Sequence, residues 1–309
     1  MLFLFRVVFF LLGFKHFGIS GNSPALHVRA ASVTVLTDDQ ITAYKPYTFF
    51  AGAAYCQPST TMNWNCGSNC AGNSDFIPIA SGGDGNDVQF WYVGYSPSLS
   101  TVIVAHQGTD ITEIESLITD VDFLPTNLDP NLFPGLNSHI KVHHGFKETQ
   151  EKTAEDILQA VTTALSDHNT NSVSLVGHSL GAALSLLDAV YLPLRLPNVT
   201  FRMIGYGMPR VGNQGFADYV DSVLAGNLAR INNKKDPIPT LPPMLPLDLL
   251  GLRFHHPSGE IHINHTNNWN SCSGQENPSD ECADGAVKPI VFGDIFDHSG
   301  PYDGITIRC

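Results

Sequence analysis

Three residues placed in order along this chain have the makings of acyl-transfer chemistry: Ser179 between two glycines, Asp236, and His298 near the C-terminus. A serine hydroxyl needs a base to take its proton and an acid to orient that base. Gly177-His-Ser-Leu-Gly181 has the Gly-x-Ser-x-Gly pattern of a strained strand-to-helix turn. The turn lifts the serine to its tip, and both flanking positions must lack a Cβ for strand and helix to approach. By itself the pentapeptide recurs by chance in roughly one chain in ten of this length. Its flanks give it weight: Val173, Leu175 and Val176 supply a short buried strand, and Ala182, Leu184, Leu186, Leu187 and Val190 make the following stretch an apolar helix.

In α/β-hydrolases the other two partners follow the nucleophile in the order acid, then histidine. Asp236 stands just past the strand pattern Leu228 to Ile231, and the prolines behind it fix its loop. Asp188, Asp218 and Asp221 fall inside helical patterns and are poorer candidates. Five histidines follow Asp236, namely His255, His256, His262, His265 and His298, and the residues alone do not decide among them. Asp297-His298-Ser-Gly-Pro-Tyr302 is a turn-rich loop suited to presenting a side chain.

The elements that must position these groups alternate in type. Strand patterns at Val88 to Tyr95, Thr101 to His106, His139 to His143, Ser172 to Val176, Thr200 to Tyr206 and Leu228 to Ile231 are interleaved with helical ones. The helical patterns run from Phe146 to His168, after the glycine elbow, and from Phe216 to Leu224. Such alternation predicts an α/β fold with a mostly parallel sheet and helices on both faces. Thr37-Asp-Asp-Gln40 reads as a capping box opening an N-terminal helix that breaks near Pro46. With 309 residues, 43% of them hydrophobic, and no linker or internal repeat, residues 31–309 read as a single domain.

Residues 1–30 carry no Asp or Glu, and Val7 to Phe14 form a short apolar run between Arg6 and Lys15. That pattern fits a secretory leader and is too short to span a bilayer comfortably. Removing it with Arg6, Lys15 and Arg29 takes the formal charge from −13 to −16. Such acidity argues against nucleic acid and anionic membrane surfaces and points to a neutral substrate. Six cysteines in an exported chain imply disulfides, with 15 connectivities open. Cys66-Gly-Ser-Asn-Cys70 reads as a local disulfide loop rather than half a zinc site, because no second close pair follows at metal spacing. Asn198 and Asn264 head glycosylation sequons.

Taken together, the Gly-His-Ser-Leu-Gly elbow, Val142-His-His-Gly-Phe146, Tyr206-Gly-Met-Pro-Arg-Val-Gly-Asn213, Asp236-Pro-Ile-Pro-Thr-Leu-Pro-Pro243 and the Asp-His pair near the C-terminus resemble the lipase class 3 family. The similarity is greatest to secreted fungal triacylglycerol lipases and extends from Thr37 to Cys309. It implies an α/β-hydrolase fold with Ser179 as nucleophile, Asp236 as orienting acid and His298 as base. It also implies an oxyanion hole from Thr109 and the backbone of Leu180, and pairing of Cys56 with Cys309, which leaves Cys272 for Cys282. His143 and Arg210 fall on family motif positions and read as structural supports.

The segment after Thr109 occupies the family's lid position. Ile111, Ile114, Leu117 and Ile118 share one helical face there, which predicts a short amphipathic lid and activation at an oil–water interface. The expected protein is a secreted, monomeric carboxylic-ester hydrolase acting on neutral acylglycerols, without metal or organic cofactor or stable membrane insertion. A feruloyl or other soluble-ester esterase of the same fold is the alternative. The apolar loop from Pro242 to Leu252 and the long polar segment from Asn267 to Lys288 depart from the family pattern and bear on substrate range.

Overall fold

A computed structural model describes residues 32–110, 124–224, 226–244, 253–288 and 293–309. The leader reading at 1–30, the lid residues 111–121 and the loop residues 245–252 lie outside this set. The described strands are β1 (Val33–Val35), β2 (Ile77–Gly82), β3 (Trp91–Ser96), β4 (Thr101–His106), β5 (Pro125–Asn127), β6 (Lys141–His143) and β7 (Ser172–His178). They continue with β8 (Thr200–Tyr206), β9 (Gly212–Asn213), β10 (Leu228–Asn233), β11 (Phe254–His255), β12 (Glu260–Ile263) and β13 (Trp269–Cys272).

Nine of these strands form one sheet in the order β1-β13-β12-β10-β8-β7-β4-β3-β2. Pairings are parallel from β4 through β7, β8 and β10 to β12, and antiparallel at both edges. Parallel strands buried on both faces need apolar side chains on both, and β4 and β7 supply them. Val102, Val104, Val173, Leu175 and Met203 face a core shared with the helices Ala154–Asp167 and Leu180–Arg195. Ile103, Ala105, Val176, Ile204 and Ile231 face the opposite core, built with the helix Lys45–Ala53. Four strands, β5, β6, β9 and β11, form a smaller sheet. Among the described residues no helix is long and apolar enough to cross a membrane.

Because β4, β7, β8 and β10 run the same way, their C-terminal ends open on one edge, where ligands gather in such sheets. Thr109, Ser179, Gly207 and Asp236 each follow the end of one of these strands.

The capping box at Thr37 and Gln40 forms, and the helix it opens stops at Thr42 before a second begins at Lys45. The pattern from Phe146 to His168, read as one helix, is two: His144–Glu151 and Ala154–Asp167. The chain breaks at Thr153, whose backbone and hydroxyl both bond the carbonyl of Gln150, a local bond that competes with the helix ladder. The strand read from His139 starts only at Lys141, because Asn137 holds the preceding residues in a turn through His139 N–H and Ile140 N–H. Part of the polar stretch after Asn267 is strand β13, the antiparallel partner of β12.

The cysteines pair as Cys56–Cys309, Cys66–Cys70 and Cys272–Cys282, with S–S distances of 2.06, 2.00 and 2.03 Å. Asn198 is exposed. Asn264 is buried in a turn. It is only 6% exposed, its amide nitrogen donates to Glu281, and its oxygen accepts from Thr266 and Asn268.

Candidate active site

The elbow owes its shape to two glycines. A Cβ on Gly177 would stand 2.2 Å from the Gly181 carbonyl oxygen, and one on Gly181 would stand 2.2 Å from that of His106. Between them Ser179 adopts φ 56°, ψ −128°, a conformation costing a non-glycine residue about 1–3 kcal/mol. Its N–H donates to Tyr206 O at 2.9 Å, tying the elbow to the end of β8. Leu180 opens a 16-residue helix, whose first N–H groups lack helical partners and carry the positive end of the dipole.

Asp236 and His298 meet although 62 residues separate them: His298 Nδ1 lies 2.8 Å from Asp236 Oδ2. Both are buried, at 1% and 0% exposure. Asp236 Oδ1 accepts from Ile238 N–H at 2.9 Å, so the carboxylate is held at both oxygens. The loop bearing His298 is clamped to the end of β10 by Asn233 Nδ2, which donates to Asp297 O, and to the turn after it by Lys235 N–H, which donates to Asp297 Oδ2. Gly207, at φ +52°, leaves space for the pair, since a Cβ there would lie 2.8 Å from His298 Nδ1 and 2.9 Å from Asp236 Oδ2.

Ser179 Oγ and His298 Nε2 are buried and, among the described residues, have no hydrogen-bond partner. A buried polar atom left open in this way costs stability and calls for a reason. His178, the neighbour of Ser179, lies 4.3 Å from His298 between ring centroids, so the elbow and the histidine loop are adjacent. Gly108 completes the cluster, its Cα so close to the elbow that an added Cβ would reach 3.0 Å from Ser179 Cβ. Thr109 follows it directly and, with Tyr55, Gln107, Asp110, His178, Arg308 and other residues of the chain end, lines a cavity of about 300 Å³.

The competing candidates have other work. Asp188 accepts from Gln150 and lies 2.7 Å from His106 Nε2 beneath the sheet end. Asp221 accepts from Ser258, and Asp218 accepts from Gln214 and Gln275. His256 bonds Pro239 O, and His262 lies 2.8 Å from both Glu281 O and Lys234 O. Arg210 and His143 act as supports. Arg210 donates two hydrogen bonds to Glu276 and one to Asp284, and it holds the Thr240 and Pro242 carbonyls of the loop behind Asp236. His143 caps the helix His144–Glu151 and stacks on Phe146. The residues missed from sequence are His178 and Tyr302, which bond the His298 carbonyl, and Tyr55, which bonds His178. His178 and Tyr302 stand inside motifs already quoted, but no spacing signals their contacts, and Tyr55 lies in none.

Burial, followed by the nearby His298, holds His178 well below the ordinary histidine pKa of 6.5; burial, followed by Arg230, does the same to His256. Both are therefore neutral in the folded protein, whereas the unfolded chain takes up a proton at each below about pH 6.5. Stability from this source is complete above pH 6.5 and falls as pH drops below it. For Glu276, burial opposes ionisation, but the Arg210 guanidinium outweighs it and brings the pKa to about 2 from 4.5. Its contribution is present above pH 4.5 and is lost as pH falls from there toward 2. Melting temperature should therefore decline from pH 6.5 downward. His256→Gln, which keeps a donor for Pro239 O, should flatten the decline between pH 6.5 and 5. Equal slopes in the two proteins would show that His256 is protonated in the fold.

A mixed sheet with a parallel centre and a glycine-flanked serine at the strand-to-helix turn after a central strand define an α/β-hydrolase. Residues 103–245 match the model for lipase (class 3). The secreted mono- and diacylglycerol lipase MDL4 of Malassezia globosa is 33% identical over 301 residues, covering 96% of this chain and 92% of that protein. Secreted mono- and diacylglycerol lipase 3 of Gibberella zeae is 36% identical over 200 residues, 63% of this chain and 60% of that one. Among solved structures, lipase II from Rhizopus niveus superposes with a TM-score of 0.75 at 30% identity, covering 89% of this chain and 98% of that one. The Rhizomucor miehei lipase propeptide complex gives a TM-score of 0.75 at 25% identity, with coverage of 90% and 84%. The chain belongs to the class 3 lipases, and it is a carboxylic-ester hydrolase.

Proposed function

We propose that this lipase is secreted and cleaves neutral acylglycerols through an acyl-enzyme on Ser179. The observation that carries this reading is the pinned His298 ring. With Nδ1 committed to Asp236, its Nε2 is left without a partner among the described residues, beside the elbow that carries an equally unpartnered Ser179 Oγ. His298 Nε2 takes the hydroxyl proton as Ser179 attacks the ester carbonyl. The oxyanion is held by the N–H groups of Thr109 and Leu180, at a helix start where negative charge is favoured. The protonated His298 then delivers its proton to the departing alcohol, and a water deprotonated by the same ring releases the fatty acid.

The surroundings favour a lipid surface over a soluble phenolic ester. Phe296 is 82% exposed two residues before His298. A large apolar side chain held in water beside a buried site suits contact with oil. The net charge of −13 directs that contact to neutral rather than anionic interfaces. We further propose that residues 1–30 are a secretion leader, that Asn198 carries a glycan, and that the protein acts as a monomer without cofactor.

Hydrolysis should be assayed on emulsified diolein, emulsified triolein and soluble methyl ferulate, each below and above its solubility limit. The reading expects turnover of the glycerides to rise steeply past saturation and the ferulate to be poor. The ratio of diolein to triolein rates assigns the preferred degree of acylation. A hyperbolic curve through saturation with ferulate preferred would instead establish a soluble-ester esterase.

A further inference from the structure

Tyr55 lies far from the elbow in sequence, but its hydroxyl sits 2.6 Å from Nδ1 of His178. On the other side of that ring, Nε2 is 2.8 Å from the main-chain carbonyl oxygen of His298. A carbonyl oxygen only accepts, so the hydrogen of the neutral ring is on Nε2, and Nδ1 presents its lone pair to the tyrosine. Burial, above all, pushes the Tyr55 hydroxyl far above its ordinary pKa, so it remains a donor. The chain of bonds therefore has one direction, from the Tyr55 O–H to His178 and from His178 N–H to the backbone of His298. Tyr302 donates to the same carbonyl at 3.0 Å.

The tyrosine also touches the third loop of the site. A Cβ on Gly108 would lie 2.4 Å from the Tyr55 oxygen and 2.4 Å from the His178 carbonyl oxygen. One hydroxyl thus borders the turn before Thr109 and, through the imidazole before Ser179, reaches the backbone of His298.

We propose that Tyr55 and His178 are positioning residues that hold the oxyanion turn, the nucleophile elbow and the base loop in one mutual register. The proposal rests on the assignment of Ser179 and His298 as nucleophile and base. Neither residue touches a reacting atom. Their effect is on alignment, where a misplacement of about 1 Å costs roughly 100-fold in rate.

The test uses Tyr55→Phe, His178→Gln and His178→Leu in the full chain, with soluble p-nitrophenyl butyrate and melting temperature as controls. Tyr55→Phe should lower kcat roughly 10- to 100-fold, with KM within about twofold and with most of the melting temperature retained. His178→Gln should recover much of the loss seen in His178→Leu, since its amide N–H still reaches the His298 carbonyl while a leucine offers no donor. Adding Tyr55→Phe to His178→Gln should cost little more, as links in series do. A wild-type kcat in Tyr55→Phe, or Gln no better than Leu, would overturn the relay. Should His178→Leu fail to fold, Tyr55→Phe alone decides.

Imidazole nitrogen NMR needs no turnover and so separates this proposal from the catalytic reading. It should show His178 as the Nε2–H tautomer, with both the His178 and His298 resonances moved by Tyr55→Phe. Unmoved His298 resonances would reject the relay even in a protein that hydrolyses esters. Moved resonances in a protein inert to every ester would uphold the relay as architecture and reject the catalytic assignment.

Discussion

Ser179→Ala should reduce turnover of any ester by roughly 10⁴- to 10⁶-fold while leaving the fold intact, since the substitution deletes a buried hydroxyl that, among the described residues, bonds nothing. His298→Ala should match it, because a serine hydroxyl without a base is a poor nucleophile at neutral pH. Asp236→Asn should cost about 10⁴-fold. An amide in place of the carboxylate no longer fixes the ring with its hydrogen on Nδ1, and it offers no charge to stabilise the imidazolium. Combining any two of these changes should add little, because the three groups operate as a unit. Single-turnover kinetics on a soluble ester, read beside circular dichroism, checks the set. If His256→Ala or His262→Ala silenced the enzyme and His298→Ala did not, the base would be misassigned. The carbonyl partners of those two rings argue against that result.

Opening the Cys56–Cys309 bridge is the second large perturbation. The two cysteines are 253 residues apart, and closing so long a loop restricts the unfolded chain enough to be worth about 5 kcal/mol on chain-entropy grounds, with measured values often lower. Cys309→Ser paired with Cys56→Ser should therefore lower the melting temperature by about 10 °C or more. Activity should fall too. The last residues run from the His298 loop to the bridge, held by Ile307 N–H to Ser299 O and by Asn69 Nδ2 to Arg308 O. Calorimetry and kcat on the same double variant give the answer. A melting temperature within about 2 °C of the parent, with full activity, would mean that these hydrogen bonds anchor the chain end without the sulfurs.

Much of this was legible in the residues, and the exceptions have physical causes. Gly177 and Gly181 announced the elbow because two positions without room for a Cβ leave few other turns. The apolar runs of β4, β7 and β8 announced a parallel sheet because strands covered on both faces cannot alternate in polarity. The edge strand β1 and its neighbour β13 were harder to see, since VTV and WNSC are short and carry polar residues between apolar ones. The break at Thr153 escaped notice because no proline or glycine marks it. The base proposed here was beyond local reading altogether: His255, His256, His262, His265 and His298 differ only in what the fold brings to them, and the 62-residue return from His298 to Asp236 is a tertiary fact. Family resemblance, not spacing, had singled out His298. Tyr55 left no trace of its contacts for the same reason.

The conformation of Ser179 also bears on how such a protein changes under selection. Its backbone sits where only glycine is comfortable, and its hydroxyl is buried without a partner among the described residues. The strain is worth about 1–3 kcal/mol and the orphaned hydroxyl a similar amount. Glycine at position 179 would relieve both, less the roughly 0.5–1 kcal/mol of extra chain entropy that glycine brings. The molecule is therefore firmer without the proposed nucleophile than with it. A library screened for heat resistance alone would drift toward silent proteins at this codon, and thermostable variants that still hydrolyse esters must be sought with turnover included in every round.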